Sequence, residues 1–155
     1  MSDTGVCDMQ WNIISLKFMY NMERFATQIY LTQRRIFEEE WILKKITNAA
    51  ENEQEHVKVL QKRILELQGS RSKFGFLFQT AGRVFGTITG LFGKKLVLKA
   101  NVFVENRAIK DYRIFLNKVK FDEDTVQLVN RIIADEVYHK DTWELSLEEL
   151  TGQEG

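Results

Sequence analysis

The two histidines of this chain each follow a glutamate by three residues, in Glu53-Gln54-Glu55-His56 and Glu136-Val137-Tyr138-His139. Residues three apart on an α-helix share a face, about one turn from each other. Each pair therefore directs a carboxylate and an imidazole towards one point. One such pair alone is more often an exposed histidine beside an acid. Two pairs in a chain with only two histidines indicate a shared site.

Two further glutamates precede these pairs by the length of a helical hairpin. Glu23 precedes Glu53, and Glu105 precedes Glu136, by almost the same separation along the chain. In a helical hairpin, two residues lie at the same height when the turn is near their midpoint. The first midpoint falls in the run 38–40, and the second directly precedes Asp122, which begins a turn and N-cap signal. We therefore predict two hairpins whose four helices bring these side chains to one level.

The two halves of the chain repeat at a nearly constant offset, the one that relates His56 to His139. The repeated residues share one helix face and are Glu23, Ala26 and Tyr30 in the first half and Glu105, Ala108 and Tyr112 in the second. Repetition at a fixed offset is expected of a helical hairpin used twice. Tyr30 and Tyr112 either pack in the core or support the candidate ligands; the sequence leaves both interpretations open.

Each candidate ligand falls within an apolar stripe at helical spacing, in a chain that has no proline. An ionised carboxylate in such a stripe is costly unless it is paired or bound to a cation. Carboxylates and neutral imidazoles suit iron, manganese or zinc, and two carboxylate-rich half-sites favour two iron or two manganese ions. The predicted ligands are Glu23, Glu53, His56, Glu105, Glu136 and His139.

These patterns predict an all-α fold, a ferritin-like four-helix bundle with a long hydrophobic helical connection between the second and third ligand helices. We expect one domain over residues 11–150, with a flexible N-terminal tail at 1–10 and a second tail at 151–155. Cys7 is the only cysteine, so a disulfide framework is excluded. No secretory signal pattern is present, which favours a cytoplasmic setting. We expect no nucleic-acid partner, and we expect the chain to form a homo-oligomer.

The segment between the two hairpins differs in kind, because no acid occurs between Glu66 and Glu105. The basic residues of this stretch are Arg71, Lys73, Arg83, Lys94, Lys95 and Lys99. Residues 68–95 are also rich in phenylalanine. A basic, aromatic-rich amphipathic element through 73–95 is typical of one that lies in a membrane interface.

A membrane-spanning helix is a poorer interpretation of this segment, because Gln79 and Arg83 stand near its middle. Three glycines spaced four apart form a smooth helix face for close packing: Gly82, Gly86 and Gly90. The alternatives to a membrane contact are a crossover buried against the bundle or an oligomer contact. If the segment does bind lipid, the protein would be peripheral on the inner face of the membrane.

Several stretches between about residues 20 and 145 resemble the demethoxyubiquinone hydroxylases. The matching stretches are Glu23 to Gln33 in the first ligand helix, Ala81 to Gly86 in the connection, Val104 and Glu105 with Tyr112 in the third helix, and Asp135 to Asp141 in the last. Rubrerythrins and other ferritin-like proteins share the ligands, but the glycine pattern of the connection makes the resemblance more specific.

The resemblance implies a di-iron monooxygenase of ubiquinone biosynthesis, peripheral to membranes, that hydroxylates a quinone ring with dioxygen. It implies ligand roles for the six acids and histidines above. Asp111 stands directly before Tyr112, where the family has histidine, and is a third candidate supporting residue beside the two tyrosines. The expected partners are a quinone or other apolar small molecule, dioxygen and a membrane surface.

Two other functional classes stay open. A rubrerythrin-like peroxidase, or an iron-oxidising or iron-binding ferritin-like protein, would use the same ligands, although rubrerythrins often carry a cysteine-rich electron-transfer module that this chain lacks. A non-catalytic helical bundle would keep its acids for structural reasons. Metal content separates the last class from the others.

Overall fold

The computed structural model describes residues 3–152, with side chains from Met9 onwards. This range contains five α-helices and no strand, which confirms the all-α class. The helices are α1 (Asp3–Gln33), α2 (Glu40–Glu66), α3 (Gly75–Leu91), α4 (Lys94–Lys118) and α5 (Glu123–Gly152). Helix α1 already begins at Asp3, so most of the stretch 1–10 expected to be a tail is helical backbone. Residues 1–2 and 153–155, and the side chain of Cys7, lie outside the described part.

The two predicted hairpins are present. The turn between α1 and α2 occupies residues 34–39, and the turn between α4 and α5 occupies residues 119–122. Both contain or adjoin the midpoints that the sequence indicated. Asp122 Oδ1 accepts a hydrogen bond from the backbone N–H of Thr125 at 2.8 Å, which caps the first turn of α5 as its sequence predicted.

The hairpins pack face to face, with α1 against α4 and α2 against α5. Near one end of the bundle, Lys45 on α2 donates to Ser146 on α5 at 2.8 Å. Near the other end, Arg63 donates to Thr125 at 2.8 Å. The order of these contacts shows that α2 and α5 run in opposite directions.

A buried amide pair sets the register of α1 against α4. Gln33 Nε2 donates to Asn101 Oδ1 at 2.9 Å, and Asn101 Nδ2 donates to Gln33 Oε1 at 3.1 Å. Gln33 Nε2 also lies 3.3 Å from the hydroxyl of Thr89 on α3. Buried amides are costly unless they are satisfied. A slip of α1 along α4 would therefore break both bonds and leave these groups without partners.

Two apolar clusters fill the bundle on opposite sides of the predicted ligands. The first includes Leu16, Met19, Leu60, Tyr112, Val129 and Ile132. The second includes Ile29, Tyr30, Ile42, Ile46, Leu98 and Trp143. On every bundle helix one cluster precedes the ligands and the other follows them, so the acids lie in the middle of the core.

Helix α3 connects the hairpins and runs alongside α1 in the same direction. Its glycines advance with α1: Gly82 lies beside Phe25 and Gly86 beside Ile29. A Cβ on Gly86 would come within 2.8 Å of the carbonyl oxygen of Ile29, and one on Gly82 would overlap that of Phe25. Two backbones can approach so closely only where side chains are absent. At the end of α3, Gly93 adopts a φ of 91°, which L-residues rarely tolerate, and the chain turns into α4.

The substitution Gly82→Ala tests this close approach. Helix propensity alone would make alanine more stable than glycine by about 1 kcal/mol. The added methyl must displace α1 backbone, and overpacking of this kind costs about 1–3 kcal/mol. We therefore expect a lower free energy of unfolding, measured by urea denaturation.

Thr87→Ala is the matched control, because Thr87 lies on the exposed side of α3 and, among the described residues, its hydroxyl bonds only to its own helix. It should leave stability unchanged or slightly raised. A Gly82→Ala protein more stable than the native chain would contradict the packing of α3 on α1.

Candidate metal centre

All six predicted ligands lie at one level of the core, at most 5% exposed. They come from four different helices: Glu23 from α1, Glu53 and His56 from α2, Glu105 from α4, and Glu136 and His139 from α5. Each Glu-x-x-His pair faces inwards because its spacing matches one helical turn. The stripes that contain these residues form the apolar core, so the helices cannot bury the core without burying the acids.

The six side chains form two overlapping groups of four, in each of which the potential ligand atoms lie within 4.8 Å of one another. One group contains Glu23, Glu53, His56 and Glu136; the other contains Glu53, Glu105, Glu136 and His139. Glu53 and Glu136 belong to both groups and so stand between them. We name these groups the His56 position and the His139 position.

Each histidine turns its Nδ1 atom towards the acids. His56 Nδ1 lies 3.1 Å from Glu136, 3.4 Å from Glu23 and 3.6 Å from Glu53. The corresponding nitrogen of His139 lies 3.1 Å from Glu53 Oε1 and 3.5 Å from Glu136 Oε2. The two imidazole rings are 6.5 Å apart between centroids. Nitrogen and oxygen donors thus converge from opposite sides of the shared acids.

The donor atoms at the centre lack hydrogen-bond partners within the described chain. Both oxygens of Glu53, both oxygens of Glu136 and the Nδ1 atoms of the two histidines are buried without one. Buried polar atoms are normally satisfied, and a buried unpaired charge is much more costly than a neutral group. Carboxylates and imidazoles are ligands for divalent iron and manganese. The unsatisfied atoms therefore fit a pair of such ions.

The contacts within the cluster favour protonated forms of Glu53, Glu105 and both histidines, whereas the pKa of Glu136 is lowered because its contacts with His139 and His56 outweigh its burial. Burial and the neighbouring acids raise the pKa of Glu53 and the pKa of Glu105. Burial would lower the pKa of His139, but close contact with Glu136 and Glu53 raises it to about 10. The pKa of His56 is raised in the same way. Without a cation, the cluster retains protons that these groups would lose in water.

The two candidate tyrosines each donate a hydrogen bond across the bundle to a glutamate. Tyr30 on α1 donates to Glu105 on α4, and Tyr112 on α4 donates to Glu23 on α1. Both hydroxyls are buried, and burial together with the adjacent acids raises their pKa well above 10. Tyr30 and Tyr112 thus pack in the core and also hold Glu105 and Glu23, the two glutamates that each belong to only one group.

Asp111, the third candidate supporting residue, accepts a hydrogen bond from Arg107 Nε at 2.7 Å, one turn earlier on α4. A role for Asp111 at the centre stays a prediction. Sequence reasoning gave no role to two other residues that contact the cluster. Asp135 lies 3.0 Å from His56 Nε2, and Trp143 Nε1 lies 3.2 Å from the Tyr30 hydroxyl and 3.4 Å from Glu105. A signal for Asp135 existed, since it directly precedes a ligand.

A cavity of about 250 Å³ lies between α2 and α5 beside the cluster. His139 forms part of its wall, together with Asn52, Asp135 and Tyr138. His56 does not line it. The His139 position therefore has a space next to its histidine.

A bundle of two helical hairpins with four glutamates and two Glu-x-x-His histidines at its centre defines the class of ferritin-like helical-bundle proteins. Comparison with protein families agrees with this class. Residues 21–149 match the family described as ubiquinone biosynthesis protein COQ7. The chain belongs to this family, as its resemblance to demethoxyubiquinone hydroxylases predicted, and the match includes all six candidate ligands.

A search of curated proteins gave no match. Within the described residues, none of the helices combines the length and the apolar character needed to cross a bilayer.

The pKa shifts predict how the metal-free protein responds to pH. His139 has an ordinary pKa near 6.5 when unfolded and about 10 when folded, so between these values the folded state binds more protons. Stability must therefore fall as pH rises through this window. We expect the melting temperature of chelator-treated protein to decrease from pH 6.5 to pH 9.5. Protein reloaded with Mn²⁺ should have a higher melting temperature, and this temperature should fall less over the same pH range, because the bound cation replaces the protons.

Thermal unfolding followed by circular dichroism measures both effects. An identical pH profile for the metal-free and the Mn²⁺-loaded protein would contradict a buried cluster that exchanges protons for metal.

Proposed function

We propose that this protein is a di-iron monooxygenase that hydroxylates the ring of a quinone in ubiquinone biosynthesis. The observation that carries the proposal is the buried cluster of four glutamates and two histidines in a member of a ubiquinone-biosynthesis family. Membership of the family indicates the pathway, and the set of donor side chains indicates the metal.

The six candidate ligands would bind two ions between them. Glu53 and Glu136 belong to both groups and would be shared, while Glu23 with His56 and Glu105 with His139 would complete the two ends. Tyr30 and Tyr112 orient the outer glutamates. The apolar clusters on both sides keep bulk water away from the centre. When bound, the iron pair would supply the activation of dioxygen.

The overall reaction is balanced by an external two-electron donor. A ring C–H bond is replaced by a C–O bond, one oxygen atom of dioxygen enters the product, and the other leaves as water with two protons. Tyrosines with a raised pKa remain protonated at neutral pH. Tyr30 and Tyr112 can therefore donate hydrogen bonds to the glutamates at neutral pH.

Iron-loaded protein should convert a demethoxyquinone to its hydroxylated product when given a reductant and ¹⁸O₂, with one labelled oxygen in the product by mass spectrometry. Glu53→Ala/Glu136→Ala removes both shared acids and should abolish iron binding and product formation. Glu51→Ala/Glu148→Ala is the matched control, because these glutamates lie exposed on the same two helices. It should retain iron and activity.

Full iron occupancy in the Glu53→Ala/Glu136→Ala protein would contradict the site. Native protein that binds iron and reduces hydrogen peroxide but makes no hydroxylated quinone would instead support the rubrerythrin-like alternative.

We further propose that α3 docks on an anionic membrane, where a quinone would dissolve. Most of its side chains are apolar, and many of these are exposed on the side away from α1, since the glycine face occupies the contact. The most exposed apolar side chains of α3 and of the residues that flank it are Phe74, Phe76, Leu77, Leu91 and Phe92, each at least 60% exposed. Lys73 and Arg71 are exposed next to this face. Apolar insertion and attraction of basic side chains to anionic headgroups would act together.

The structure changes which side chains this docking would use. Phe78 and Phe85 are partly buried, and the Phe85 ring packs against Phe25 with centroids 5.8 Å apart. Lys94 forms an ion pair with Glu39, and Arg83 donates to Gln28 at 2.8 Å. The contribution of Phe78, Phe85, Lys94 and Arg83 is therefore smaller than the sequence alone suggested.

Co-sedimentation with vesicles containing phosphatidylserine tests the membrane contact. Native protein should bind at low salt and bind less, but still detectably, at high salt, because salt screens charges and leaves apolar insertion intact. Phe76→Ser/Phe92→Ser should reduce binding at both salt concentrations. Leu65→Ser/Leu145→Ser removes two exposed apolar side chains from α2 and α5 and should bind like the native chain. Equal binding by both double variants would contradict docking through α3.

A further inference from the structure

The internal repeat allows each side chain at the His56 position to be compared with its counterpart at the His139 position. The ligands and the two tyrosines correspond, at a nearly constant offset along the chain. Two contacts do not. Asp135 supports His56, and Trp143 contacts Glu105; at the offset that relates His139 to His56, their counterparts in the first half are Asn52 and Leu60.

The first difference concerns the histidines. His56 Nε2 lies 3.0 Å from Asp135 Oδ2. With Nδ1 directed at the acids, Nε2 carries the proton in the metal-binding tautomer, and this N–H donates a hydrogen bond to Asp135 Oδ2. A carboxylate in this place orients the ring and makes the histidine a stronger ligand. Asn52, the counterpart of Asp135, is neutral, and among the described residues His139 Nε2 has no hydrogen-bond partner.

The second difference concerns the outer glutamates. Glu23 and Glu105 each accept a hydrogen bond from a tyrosine. Only Glu105 also has an indole N–H nearby, that of Trp143 at 3.4 Å. Each donor draws electron density from the carboxylate and leaves less for a metal. At the corresponding place in the other half, Leu60 offers no donor.

From these two contacts we infer that the two metal positions are unequal: the His56 position binds its ion tightly, and the His139 position binds its ion weakly and releases it first. The inference rests on the proposed di-metal site. Asp135 strengthens a ligand at the first position, and Trp143 weakens one at the second, so both differences act in the same direction. The cavity beside His139 gives the weaker position a route for exchange with solvent.

Titration of metal-free, full-length protein with Mn²⁺ alone, followed by electron paramagnetic resonance of the free ion, measures the two dissociation constants. The native chain should show a tight and a weak step. His139→Ala should keep the tight step, and His56→Ala should lose it. The opposite result would overturn the assignment of the steps to the two positions.

Asp135→Asn should weaken the tight step about 10–100-fold, the usual effect of losing a residue that supports a metal ligand. Asn52→Asp should tighten the weak step, and Trp143→Phe, which keeps a ring but removes the N–H, should tighten it by a smaller factor. The exchange variant Asn52→Asp/Asp135→Asn keeps the overall composition and should reverse the order of filling. Circular dichroism shows whether each variant folds.

An unchanged tight step in folded Asp135→Asn, or an unchanged order of filling in the exchange variant, would overturn the inference. Two bound ions with equal constants in the native protein would also do so, while leaving the proposed di-metal function intact. A native chain that binds no Mn²⁺ or Fe²⁺ would remove both proposals.

Discussion

The burial of four carboxylates and two imidazoles in an apolar core is the constraint on which the rest of this structure depends. Carboxylates and imidazoles are stable in such surroundings only if they are neutral, are paired with other groups or bind a cation. The chain supplies only part of the compensation, through two tyrosine hydroxyls, one indole and one aspartate. The centre therefore destabilises a small bundle unless a ligand binds there.

Contacts near both ends of the bundle join the helices that carry these groups. Gln33 and Asn101 fix α1 against α4 by paired amide bonds near one end of the bundle. Arg63 contacts Asp122 and Thr125 and joins α2 to the start of α5 near the other end. Contacts at both ends restrict sliding of the helices. These contacts therefore help to fix the heights at which the ligand side chains lie in the bundle.

The parts of this molecule that sequence predicts are those set by local periodicity. The spacing of Glu53 and His56, the apolar stripes and the hairpin midpoints each depend on positions within one helix or one turn, and together they locate all six candidate ligands. The amide pair of Gln33 and Asn101 was not predicted, because its members lie far apart in the sequence and meet only in the bundle.

Sequence identified the glycine face of α3 but did not show which phenylalanines lie beside that face. It showed an aromatic-rich segment, but the glycine face decides that Phe85 turns towards α1 while Phe76 faces solvent. The helical start of α1 was missed for a different reason, since nothing at the N-terminus marks where the core begins.

The joining of both hairpins in one chain has a consequence for how such a centre can be tuned. Two identical hairpins assembled as a homodimer would form an isologous interface, in which every side chain occurs twice and the two halves must match. Here α3 links two hairpins of different sequence, so a substitution in one half is not copied into the other. A twofold-symmetric assembly could not contain the differences seen here, where Asp135 has Asn52 as its counterpart and Trp143 has Leu60. The covalent link between two different halves thus permits one centre to hold two chemically distinct sites.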